Sequence, residues 1–128
     1  MIIAIASDDG MHVAEHPGQC RGFVIFEVDR STAVRVGYRS NACMSAMAVS
    51  GARESVNAAA DPPYQTLVAT LTDCGALVSR RMDRVLLHAL ERSVTSGFVC
   101  EENGIDQVDE AARLFVQGQL RHITSDAC

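Results

Sequence analysis

The stretch Met1-Ile2-Ile3-Ala4-Ile5-Ala6-Ser7-Asp8-Asp9-Gly10 decides the fold. Ile2 to Ala6 is an unbroken apolar run rich in β-branched residues. That is the pattern of a central strand buried on both faces, not of a strand with one wet side. Ser7-Asp8-Asp9-Gly10 ends it, because short polar side chains and glycine bend the backbone into a turn. The run carries no basic residue ahead of it and meets polar residues at once, so it reads as a strand and not as a signal peptide.

Working outward, Met11 to Cys20 is mixed and polar, and Pro17-Gly18 makes it a loop. Gly22 to Val28 is a second strand, and Asp29 to Thr32 a short hairpin connection. Ala33 to Tyr38 alternates, with Val34, Val36 and Tyr38 on one face and Arg35 and Gly37 on the other. This predicts a half-exposed third strand antiparallel to the second. Arg39 to Ala60, rich in Ala, Ser and Met, has weak periodicity and reads as a long loop or a short, loosely held helix.

Asp61-Pro62 opens a helix, with Asp as cap and Pro in the first turn. Tyr64, Leu67, Val68 and Leu71 form its apolar stripe. Gly75 to Ser79 is a fourth strand. Met82, Val85, Leu86, Ala89, Leu90 and Val94 make a second helical stripe, and Gly97 to Cys100 a fifth strand. Asp106 caps a last helix with Val108, Ala111, Ala112 and Phe115 inward, and Gly118 stops it. Leu120 onward is a polar, frayed end. The order is β-β-β, then α-β-α-β-α. It predicts one α/β domain over residues 1–120 with a flexible tail over 121–128. Its sheet is mixed and five-stranded, the first three strands antiparallel, with helices on both faces.

Composition agrees. The chain has 128 residues, 48% hydrophobic and 21% charged, enough for one core without covalent staples. The net charge of −5 disfavours nucleic acid and anionic lipid, which both need a basic footprint. No run approaches the roughly 18–20 apolar residues of a membrane span. The expected compartment is the cytoplasm, with Cys20, Cys43, Cys74, Cys100 and Cys128 as reduced thiols. Their spacing contains no Cys-x-x-Cys pair.

Several constellations carry chemistry. His12, His16 and Cys20 are spaced four apart, but Pro17 and Gly18 break any helix that would align them for a metal. The loop holding them follows the carboxyl end of the first strand, where α/β sheets place ligands. Neutral imidazole at His16 and thiolate at Cys20 are both metal donors, as is Cys43 if its loop folds over the site. Cys74 and Cys100 read as buried hydrophobes. Asp8, Asp9 and Glu27 raise a metal-dependent hydrolase, against the plainer reading of Asp-Asp-Gly as turn chemistry. No phosphate-binding glycine loop and no catalytic triad motif is present.

An ordered set of residues then becomes specific. It runs from the first strand into Ser7-Asp8-Asp9-Gly10, through His16-x-Gly18 and Phe23-x-Ile25-Phe26-Glu27-Val28. It continues with Leu71-x-Asp73-Cys74, Met82, Asp109-Glu110-Ala111 and Gly118-x-Leu120. This resembles the dinitrogenase iron–molybdenum cofactor family, over roughly residues 1–120. The resemblance implies a ribonuclease-H-like fold. It implies a non-catalytic carrier of iron–molybdenum cofactor or a related Fe–S or Mo–S cluster, accessory to nitrogenase and nitrogen fixation. The cluster would pass to a nitrogenase-assembly or other cluster-accepting protein. On this reading His16, Cys20 and Cys43 are the candidate metal ligands, and Ser7, Asp8 and Gly18 shape the loop. The family's Gly-rich turn after the fourth strand is replaced by Ser79-Arg80-Arg81-Met82-Asp83. Arg80 and Arg81 then stand where backbone N–H groups would meet an anion. The rival expectation is a cluster-free interaction or regulatory module on the same fold.

Overall fold

A strand with both faces covered needs neighbours on each edge and helices above and below, and β1 (Ile2–Ser7) has all of these. The computed structural model describes residues 1–17, 20–41, 65–82, 84–100 and 104–123. On one edge β1 pairs antiparallel with β2 (Gly22–Val28), on the other parallel with β4 (Ala76–Ser79). Then β2 pairs antiparallel with β3 (Ala33–Ser40), and β4 parallel with β5 (Ser96–Val99). The sheet order is β3-β2-β1-β4-β5-β6.

The alternation of β1 separates two cores. Ala4 and Ala6 face a cluster with Leu67 and Leu71, at and just beyond α1 (Gln65–Thr70), and with Leu86, Leu87 and Leu90 from α2 (Arg84–Glu91). Ile3 and Ile5 face the opposite cluster, with Val108, Ala111 and Ala112 from α3 (Val108–Val116). Ile3 through Ala6 are fully buried. Each buried Ile stabilises the fold by about 1.5–3 kcal/mol. Helices on both faces of a mixed sheet are therefore observed, as the sequence predicts.

The strand number is not. The sheet has six strands, because Arg121–Ile123 forms β6, antiparallel to β5. The sequence reading put these residues in the tail, since Arg121 and His122 project into solvent and hide the pattern. Ile123 nonetheless packs on the core, and the His122 ring lies 5.1 Å from that of Phe98. The remainder of the expected tail, 124–128, lies outside the described residues. So do the expected helix start at Asp61-Pro62 and most of the expected 39–60 loop.

Three finer expectations are corrected. A register shift in the β2–β3 ladder places Val34 opposite Glu27 but Tyr38 opposite Val24, so these two lie on opposite faces. The bulge breaks the alternation that grouped them. In α2, Val85 is 58% and Val94 73% exposed, whereas Leu87 is buried. The helix ends at Glu91, so Val94 never joins its stripe. The cap of α3 is Gln107, extended and without a side-chain cap bond. Asp106 points its carboxylate elsewhere, toward His12.

Candidate functional site

The parallel strands β1, β4 and β5 end on one edge of the sheet, and the candidate residues gather there. The turn after β1 is built by its own side chains. Ser7 is fully buried, and its Oγ accepts the Gly10 amide at 2.8 Å. Gly10 has φ +80°, a conformation that L side chains avoid. Asp9 Oδ1 accepts the amides of Met11 and His12, each at 2.8 Å, and Asp9 Oδ2 lies 2.7 Å from His12 Nδ1. Asp8 Oδ1 accepts the Arg21 amide at 2.9 Å. Both carboxylates are thus engaged in turn and loop geometry. Glu27, the third acid of the hydrolase alternative, pairs with Ile2 at the opposite end of β1. The three acids do not converge.

Residues 11–15 are tied to three elements. Ala14 N–H donates to Ala6 O at 2.7 Å, and Val13 N–H to Asp106 O at 2.7 Å. Val108 N–H returns a bond to Met11 O at 2.9 Å. Arg80 and Arg81 amides donate to Ala14 O and Glu15 O, at 3.1 and 2.9 Å. The segment leading into His16 is therefore zipped alongside Arg80 and Arg81. His16 itself is half-buried, one residue past the last of these bonds.

The two arginines differ. Arg81 is exposed and lies 3.5 Å from the Glu15 carboxylate. Arg80 is half-buried, and its Nε is a buried donor with no partner among the described residues. Buried donors are nearly always paired, so this one marks a place where an acceptor is wanted.

Cys20 is buried, its Sγ 3.2 Å from both Pro17 O and Gly22 O. Burial is the main cause that pushes this thiol up to about 11. It is held protonated near neutrality, which is the opposite of a ready thiolate ligand. His12, His16 and Cys20 do not assemble: among the described residues no three His, Cys, Asp or Glu side chains form a metal-ion site. Gly18 and Cys43 lie outside the described residues.

The family model for dinitrogenase iron-molybdenum cofactor matches residues 1–118. The chain belongs to that family. Similar solved structures agree on the fold. The apo orange protein of Desulfovibrio gigas is 21% identical, with TM-score 0.64 over 95% of this chain and 92% of that one. The Methanocaldococcus jannaschii protein MJ0327 is 16% identical, with TM-score 0.61 over 96% and 94%. PH0822 is 15% identical, with TM-score 0.66 over 96% of each chain. A comparison with curated proteins gives no match.

Within this iron–molybdenum cofactor family fold, the sequence reading missed the residues that brace the loop. Asn41, just past β3, is buried, and its Nδ2 donates to Pro17 O and Cys20 O, both at 2.9 Å. It holds Pro17 and Cys20 together through one amide nitrogen. Tyr38 OH donates to Ser7 O at 3.0 Å, and Arg35 Nη2 donates to Gly10 O. With Asp8, Asp9, Arg21 and Ser40 these two line an open cavity of about 460 Å³. A lone Asn after a strand carries no sequence signal for such a clamp. Arg35 and Tyr38 escaped because the alternation of the third strand put them on opposite faces, whereas the bulge in β3 brings them to one. Cys74 and Cys100 are buried, as expected of core thiols. No helix among the described residues is long and apolar enough to cross a membrane.

Proposed function

We propose that this member of the iron–molybdenum cofactor family binds an anionic cluster as cargo. The cargo is iron–molybdenum cofactor or a related Fe–S or Mo–S cluster, which passes to a nitrogenase-assembly or other cluster-accepting protein in the cytoplasm. The role is binding and transfer, without catalysis. One observation carries the reading. The unpartnered Arg80 Nε lies on the residue hydrogen-bonded to Ala14, two residues ahead of His16. A buried guanidinium Nε lacking an acceptor, on a residue whose backbone is bonded to the loop that carries His16, fits an anionic ligand that also takes a nitrogen donor.

In this reading His16 is the metal ligand and Arg80 the anion donor. Ser7, Asp8 and Gly18 hold the loop, and Arg81 balances charge from the rim. Cys20 and Cys43 are the further thiol candidates, and Cys20 must first leave the Pro17 and Gly22 carbonyls and lose its proton. The ribonuclease-H-like assignment belongs to the same proposal, supported by the sheet order. The test is anaerobic. Isolated iron–molybdenum cofactor is added to reduced protein, excess is removed by gel filtration, and Mo and Fe are counted per chain. Near-stoichiometric retention that falls in His16→Ala supports the carrier. No retention of that cofactor, or of a simpler Mo–S cluster run in parallel, overturns it.

The second reading is a cluster-free interaction or regulatory module. The buried, protonated Cys20 thiol favours it, because it removes one soft donor from the loop. That module would keep partner binding in His16→Ala.

A further inference from the structure

The loop that leads to His16 carries a group the cargo reading does not use. His12 sits between two carboxylates from different elements. Its Nδ1 is 2.7 Å from Asp9 Oδ2, within the β1 turn, and its Nε2 is 3.9 Å from Asp106 Oδ2, just before α3. The backbone runs together at the same place. His12 forms an isolated antiparallel bridge with Gln107, and the Val13–Asp106 and Val108–Met11 hydrogen bonds flank it. This is the strip that joins the β1 loop to the start of α3. Asp9 and Asp106 are the charges that act on His12. From β3, Arg35 is bound to the Gly10 carbonyl of the same loop.

We propose that His12 is a proton-operated latch, which ties the β1 loop to the start of α3 when the ring is charged and lets the strip loosen when it is neutral. An imidazolium bonds Asp9 through Nδ1–H and holds a positive charge 3.9 Å from the Asp106 carboxylate; a neutral ring protonated at Nδ1 keeps the Asp9 bond and loses the attraction to Asp106. The Asp9 contact holds the His12 pKa above its ordinary 6.5, by hydrogen bond first and by charge second. Asp9 is itself held far below the usual carboxylate range, chiefly by the His12 side chain, so its charge persists throughout. The sign follows. The folded-state pKa is raised, so the latch acts fully below about 6.5 and is lost as pH climbs through the raised value. Both partners are solvent-exposed, so the effect is local and modest.

The latch stands without any cluster. Only its consequence, that a loosened strip frees the His16 segment to release cargo, rests on the proposed function. The test uses the full-length, cluster-free protein. Amide hydrogen exchange at Val13 and Val108 is followed from pH 5.5 to 8.5 and corrected for the intrinsic rise in rate. The His12 ring is titrated by NMR in parallel. Protection of both amides is expected to fall about two- to five-fold across that range, the size of an exposed ion pair. In His12→Gln protection should stay flat at the lower level, and in Asp106→Asn the fall should shrink. Flat protection in the unaltered chain, or an unchanged fall in His12→Gln, overturns the latch. Mo retention at the two pH values is then compared. A latch that operates in a protein retaining no Mo at either pH sinks the cargo reading alone.

Discussion

Arg39 grips Asp73 with both guanidinium nitrogens, Nη1 to Oδ1 and Nη2 to Oδ2, each at 2.6 Å. The same Nη1 donates to Thr70 O at 3.1 Å, so the end of β3 is tied to the carboxyl end of α1. The neighbouring guanidinium, through its hydrogen bonds first, lowers the Asp73 carboxyl to about 2 from 3.8. A depressed folded-state value gives stability that is present above about pH 4 and is lost as pH falls toward 2.

Arg39→Ala should therefore destabilise the protein at pH 7 by about 0.5–1 kcal/mol, a small figure because the pair is partly solvent-exposed. The gap between variant and unaltered chain should close between pH 4 and pH 2. Urea unfolding midpoints at pH 7, 4 and 2 measure this. A gap that persists at pH 2 would mean that the Thr70 bond or the arginine stem, not the ion pair, is responsible.

Asn41 should be worth more than its exposed neighbours. Replacing it by Ala removes the amide donor from the buried Pro17 and Cys20 carbonyls and leaves Pro17 O only the weak Cys20 thiol, at a cost of about 1–3 kcal/mol. Pro17 and Cys20 lose their shared clamp in the same step. Denaturant unfolding reads the first effect. The second is read by alkylation of Cys20, which should quicken in Asn41→Ala well beyond what global unfolding explains.

The thiols give a sharper check on the ligand set. Burial pushes both Cys20 and Cys74 up to about 11. With Cys43 and Cys128 replaced by Ser, native protein at pH 7.5 should react with iodoacetamide at least about a hundred-fold more slowly than after unfolding. Rapid native labelling at Cys20 would show a thiolate poised to bind metal, and would return that residue to the first rank of ligands.

The legible part of this molecule is the part set by apolar pattern. Ile2 to Ala6 could only be a central strand, and from it followed the antiparallel neighbours, the parallel crossovers and the helices on both faces. What escaped depended on long-range geometry. The β6 strand is short and polar, and it exists because Ile123 finds the core from the far edge of the sheet. The loop brace is made by Asn41, Tyr38 and Arg35, whose partners lie 21 to 31 residues away. No local periodicity reports such a pairing. The sequence order pointed to the loop at His16 because it follows a strand end. It could not distinguish Arg80 from Arg81, since adjacent arginines look alike until burial separates them.

That difference between neighbours makes the most discriminating prediction. A buried donor without an acceptor destabilises the protein that contains it, and the penalty vanishes when the donor is removed. Arg80→Met keeps most of the side-chain stem and deletes Nε. In cluster-free protein it should leave stability unchanged or raise it by up to about 1 kcal/mol. If Nε exists to meet an anionic cluster, the same variant should weaken cluster retention about 10- to 100-fold, the range of a charge-assisted hydrogen bond. Arg81→Met should leave apo stability unchanged and weaken retention less than Arg80→Met does, because its guanidinium is exposed at the rim beside Glu15. Thermal unfolding of both apo variants, with Mo counted per chain after loading, separates the cases. A variant that is more stable and less able to bind marks a residue kept for its ligand. Should Arg80→Met destabilise the apo protein and bind normally, the arginine would belong to the scaffold, and the anion would have to be met elsewhere on this edge of the sheet.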